Sequence, residues 1–142
     1  MESILLLAVP VSSITLSADG TSALVTTLDS HHRLFDMLDG SVLQTFEGHV
    51  NVSYRCHSTL SHDEAHVLAG DENGRLAAWE VLTGKMTTLA QPITEDQAQV
   101  GKQKNRALLW TEVSAAKGTD AVLTAGADGV LKVYSHNVTS TS

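Results

Sequence analysis

A block of about 40 residues returns in degraded copies along this chain, and that constrains the fold more than any single residue does. Asp19-Gly20, Asp29, Phe35-Asp36 and Asp39-Gly40 come back 44 residues later as Asp63-Glu64, Asn73, Trp79-Glu80 and Thr83-Gly84. A third copy follows after 55 residues, as Asp128-Gly129 and Tyr134-Ser135. Self-similarity at this period predicts an array of equal supersecondary units.

The units read as strands. Short runs rich in Val, Leu, Ile and Thr are cut by Gly, Asp, Asn and Ser. In the first copy they are Ser12–Leu16, Ala23–Leu28, His32–Met37 and Val42–Phe46. The second has Val52–Leu60, His66–Gly70, Leu76–Val81 and Met86–Leu89; the third has Ala107–Ser114, Ala121–Ala125 and Val130–Ser135, with no fourth strand. No window carries a 3.6-residue apolar stripe, so helix content should be very low. Asp suits the connecting turns because it bonds to nearby backbone N–H groups, and Gly because it tolerates positive φ. Four antiparallel strands joined by such hairpins make one meander. The polar stretch Ala90–Asn105 breaks the rhythm. It is read either as a solvated connection or as a partner-binding loop.

Composition narrows the function classes. The 142 residues are 42% hydrophobic and 18% charged, with a net charge of −7, which suits a globular domain and disfavours a nucleic-acid groove. One cysteine, Cys56, excludes an intramolecular disulfide and fits a reducing compartment. The opening apolar stretch Ile4–Val9 is too short for a signal sequence and is preceded by Glu2. No run reaches the roughly 20 apolar residues of a membrane span. The chain therefore reads as cytoplasmic or nuclear, with no membrane partner, and its two glycosylation sequons read as chance matches.

Gly48-His49, followed 30 residues later by Trp79-Glu80 with Asn73-Gly74 between, resembles the WD repeat. The resemblance implies an all-β, partial β-propeller of about three four-stranded blades. Residues 11–47 and 48–90 would be two blades, 91–106 a polar loop, 107–136 an incomplete blade and 137–142 a disordered tail. Residues 3–8 would be the outer strand of a preceding blade. In that family a His, a Ser or Thr, an Asp and the Trp are linked by hydrogen bonds. Carried across, the second copy offers His49, Ala69, Asn73 and Trp79; the first offers Val25, Asp29 and Phe35; the third offers Thr124, Asp128 and Tyr134. Each set is incomplete, so the bond chain should be broken in every blade. Leu28, Glu72 and Ala127, just before the turn acids, and Arg75 would lie near the face where such propellers often grip peptides. The plainer alternative is that they are ordinary turn residues.

A narrower likeness runs through Arg33-Leu34-Phe35-Asp36, Phe46-Glu47-Gly48-His49 and Tyr54-Arg55-Cys56. These are similar to the late blades of the mitogen-activated protein kinase organizer family, seven-bladed scaffolds also associated with the spliceosome. The resemblance implies a non-catalytic scaffold whose partners are proteins of a kinase cascade or the spliceosome. A structural subunit of an RNA-processing complex and a substrate receptor of a ubiquitin ligase stay open. The last often carries an Arg two places after the Trp-Asp pair, where Leu38 and Leu82 stand here.

No enzyme is legible. His31 and His32 are adjacent on a strand, so they point to opposite faces and cannot converge on one ion. His57, His62 and His66 lack paired zinc-ligand spacings. Cys56 beside His57 on a strand makes no dyad, since nucleophile and base must lie within hydrogen-bond reach. Neither metal nor cofactor is expected. Three blades cannot close a ring, so the isolated chain is expected to self-associate or to need further blades.

Overall fold

The computed structural model describes residues 7–91, 105–114 and 121–135. Within them the chain forms eleven strands and no helix. Strands β1 (Val11–Leu16), β2 (Ser22–Thr27), β3 (His31–Asp36) and β4 (Val42–Phe46) make one antiparallel meander. β5 (Ser58–Leu60), β6 (His66–Gly70), β7 (Leu76–Glu80) and β8 (Met86–Ala90) make a second. β9 (Leu108–Val113), β10 (Ala121–Gly126) and β11 (Leu131–Ser135) make a three-stranded third sheet, β11 lying at its edge.

The repeat is visible in the backbone. In the turn between the second and third strands, Leu28 N–H donates to Pro10 O, Glu72 N–H to Val50 O, and Ala127 N–H to Ala107 O, at 3.0, 3.0 and 2.8 Å. In the same turn Ser30, Gly74 and Gly129 hold φ of 60°, 85° and 82°. Left-handed backbone is cheap for Gly and costly for Ser, and Ser30 offsets the cost with two bonds to Asn51. Asp36 N–H to Ser41 O and Glu80 N–H to Lys85 O close the next turn alike.

The sheets stack face to face. Period-2 alternation puts Leu24, Leu34 and Phe46 of the first sheet against Val67, Ala69, Ala77 and Trp79 of the second, and these form the core. Trp79, Phe46, Leu24 and Val67 are completely enclosed, each contributing roughly 1.5–3 kcal/mol by burial. At the second seam the backbone of β6 comes close to β9 at Gly70. Gly70 N–H donates to Thr111 Oγ1 at 3.1 Å, and a Cβ added at Gly70 would lie 2.2 Å from that of Leu108.

One strand is much shorter than its sequence suggests. Val52–Leu60 alternates like a strand, yet only Ser58–Leu60 pairs as β5. Residues 51–57 instead form a loop, in which the N–H groups of Val52, Ser53 and Tyr54 are taken by the side chain of Glu72 in the β6–β7 turn. Of the expected N-terminal strand 3–8, only Leu7 and Ala8 are described, and they are not in a strand. Residues 92–104 and 137–142 lie outside the described residues.

Candidate functional site at the turn end of the blades

The turns between second and third strands and the connections between sheets gather at one end of the stack. Behind them, at the first seam, lies a polar core. His32 on β3 is fully buried and stacks on His49, with ring centroids 4.1 Å apart and 5° between planes. Trp79 meets both rings edge-on at 5.1 Å. Thr26 Oγ1 hydrogen-bonds His32 Nδ1 at 2.8 Å and Ser58 Oγ at 2.6 Å, so one hydroxyl ties β2, β3 and β5 together. His32 Nε2 and both His49 ring nitrogens have no protein partner. Burial drives both imidazoles toward the neutral form. The loss of solvation pushes His32 well below the ordinary histidine value. It takes His49 down to about 4 despite the opposing charge of Asp71.

The residues that the WD resemblance singles out are spread over this end and do not form one bonded chain. Trp79 Nε1 donates to Glu47 O at 2.8 Å. Asn73 is exposed and gives only its backbone N–H, to Asp71 Oδ1 at 3.0 Å. The buried acid of the second turn is thus Asp71, which also accepts from Arg75 N–H and Arg75 Nε, each at 3.0 Å. In the first turn Asp29 accepts from Thr27 Oγ1 and from Arg33 Nη2 at 3.0 Å. Partial burial would raise that carboxyl, but these bonds outweigh it and hold it at about 2. In the third turn Asp128 accepts from Val130 N–H at 3.0 Å. Phe35 and Thr124 are buried and Tyr134 is half-buried. Strand alternation turns Phe35 away from the second sheet, while Trp79 and Tyr134 face the preceding sheet.

The four turn residues read as candidate contacts are engaged within the fold. Leu28, Glu72 and Ala127 make the repeated backbone bonds described above. Glu72 Oε1 also accepts N–H bonds from Val52 at 2.6 Å, from Ser53, and from Tyr54 at 2.8 Å. Arg75 Nη2 donates to Gly48 O at 3.0 Å. Sequence reasoning missed Asp71, His32 and Thr26. Asp71 had one signal, an Arg four residues on, the spacing of Asp29 and Arg33. His32 had another, since the repeat places Leu76 at its equivalent position.

Cys56 is fully buried, and desolvation aided by Glu72 and Asp71 pushes its thiol up to about 12. That is the reverse of an activated nucleophile. No three His, Cys, Asp or Glu side chains among the described residues converge as metal ligands. Among the described residues there is no helix long and apolar enough to cross a membrane. A cleft of about 680 Å³ opens on the outer half of the second sheet, lined by His66, Leu68, Glu80, Lys85 and Leu89 among others.

No protein-family model matches the chain. It is 34% identical over 84 residues to WD repeat domain-containing protein 83 of Homo sapiens, covering 59% of this chain and 26% of that protein. The Danio rerio protein of the same name is 35% identical over 78 residues, 55% of this chain and 25% of that protein. Pre-mRNA-processing factor 17 of Homo sapiens is 26% identical over 125 residues, 86% of this chain and 20% of that protein. The chain thus spans about a quarter of the length of the curated relatives it matches. Among solved structures, the WD40 β-propeller domain of Doa1 superposes with a TM-score of 0.67 at 15% identity, over 90% of this chain and 37% of that one.

Proposed function

Since the WD-repeat relatives and the propeller neighbour support a WD-repeat family for this chain, we propose that it is a propeller segment acting as a non-catalytic scaffold for protein–protein interaction. Residues 11–47, 48–90 and 107–136 are its repeating units. His49, Trp79 and the turn acids serve its rigidity and perform no chemistry. The observation that carries the reading is the triple recurrence of one turn bond, from Leu28, Glu72 and Ala127. Three superposable turns on stacked sheets make a stiff platform, and loops on such platforms are where binding residues collect.

The finer reading is that the partners belong to a kinase cascade or to pre-mRNA processing. It is supported by the likeness to the kinase-organizer family and by the name of the pre-mRNA-processing relative. The experiment is proximity labelling in cells with the natural polypeptide, with and without RNase during recovery. Kinase-cascade components insensitive to RNase support the cascade. Splicing factors lost with RNase make the protein a subunit of an RNA-processing particle. Enrichment of neither class overturns the pathway assignment.

A further inference from the structure

We propose that the loop Val50–Arg55, with Asn105 and Arg106 beside it, is a preformed docking surface for an acidic, apolar-bearing segment of a partner protein. The proposal rests on the scaffold reading and gives it a surface.

The loop is fastened from beneath. Glu72 Oε1 accepts three consecutive N–H groups, from Val52, Ser53 and Tyr54. Val50 O accepts from Glu72 N–H at 3.0 Å, and Asn51 N–H donates to Ser30 Oγ at 2.9 Å. With the N–H groups of residues 51–54 occupied below, the loop leaves Val52 at 56% and Tyr54 at 39% exposure, and Arg55 is exposed too. A segment ordered before binding loses little conformational freedom when a partner arrives. Tyrosine and arginine are also the side chains that most often dominate interface energetics.

Charge selects the partner. Arg33 and Arg75 are committed to Asp29 and Asp71. Arg55 and Arg106 are exposed and have no carboxylate partner among the described residues. They belong to one surface, because Tyr54 and Asn105, the residues before them, are joined by a 2.6 Å bond from Asn105 Nδ2 to the phenol oxygen. Two exposed arginines, each next in sequence to a member of the Tyr54–Asn105 pair, with Val52 exposed in the same loop, suit carboxylates spaced by an apolar side chain. A long polyanion fits worse, since it meets the field of the whole chain, whose net charge is −7.

The test is fluorescence anisotropy with the 142-residue chain and a labelled twelve-residue peptide in which Glu alternates with Leu and Phe. Binding is expected, weakened tenfold or more by the double substitution Arg55→Glu with Arg106→Glu, and absent when Lys replaces Glu in the peptide. Far-UV circular dichroism melts check that the fold is kept, and Arg55→Gln with Arg106→Gln repeats the comparison should the glutamates unfold it. Equal affinity for the double variant, or for the lysine peptide, overturns the proposal. So does tighter, arginine-dependent binding of a twelve-nucleotide uridine RNA. If the double variant keeps the protein's labelled partners in cells while the peptide fails to bind, this surface is refuted and the scaffold reading stands.

Discussion

At the scale of single residues, the stacked pair His32 and His49 makes the fold sensitive to acid. Burial favours the neutral form of both imidazoles, which lack a protein partner at three of their four nitrogens, and protonation would put a buried cation against the edge of Trp79. Groups facing His49 pull both ways, Asp71 and Asp29 favouring its charge and His31 and Arg75 opposing it. Because both values lie below 6.5, the unfolded chain takes up protons first as pH falls. Their contribution is complete above about 6.5 and is lost as pH falls toward His49's value of about 4. The loss for His49 is about 3 kcal/mol. Urea midpoints measured from pH 7.5 to 4 should therefore drop, and His49→Phe should flatten the curve. An unchanged pH dependence in that variant would remove His49 from the explanation. The thiol of Cys56, pushed up to about 12, should resist iodoacetamide in the native state and react in urea.

Elements are held by bonds that cross between sheets. Glu72→Ala frees three N–H groups at once, so amide exchange at Val52, Ser53 and Tyr54 should accelerate while β6 and β7 stay protected. The expected loss of stability is about 1–3 kcal/mol. Retained protection at those amides would mean that the loop has another anchor. At the second seam, Gly70→Ala puts a methyl group against the Leu108 side chain and should cost about 1–3 kcal/mol, read as a lowered urea midpoint. Strand positions were largely legible, since alternation, Asp and Gly mark them locally. Val52–Leu60 was the exception. Its alternation is real, but Glu72 in the β6–β7 turn takes the N–H groups of Val52, Ser53 and Tyr54 that a sheet would use.

For the whole molecule, stacking leaves both flanks of the described sheets apolar. On the first sheet Ile14 is 62% exposed and Leu16 lies on the same face; on the third, Leu131 is 70% and Val133 69% exposed. Among the described residues β11 lies at a sheet edge, which adds unpaired backbone groups beside them. The isolated 142-residue chain should sediment as a self-associated species, and Leu131→Lys with Val133→Lys should reduce that association without altering the fold. Sedimentation as a monodisperse monomer would show that the flanks tolerate water.

The repeat alone determined that this chain is a series of antiparallel meanders, with an aromatic on the third strand and an acid or amide in each tight turn. Those properties depend on neighbours within a few residues, and a 44-residue offset in the sequence is enough to reveal them. Only the tertiary structure decided that Asp71 is the buried acid of the second turn, with Asn73 left exposed. It also decided that His32 stacks on His49 and that Glu72 turns a would-be strand into a loop. The last two outcomes join groups 17 to 20 positions apart, which meet only when the chain folds back on itself. Local pattern carries no information about such meetings, because it is the stacking of sheets that sets which side chain finds a partner and which is buried without one.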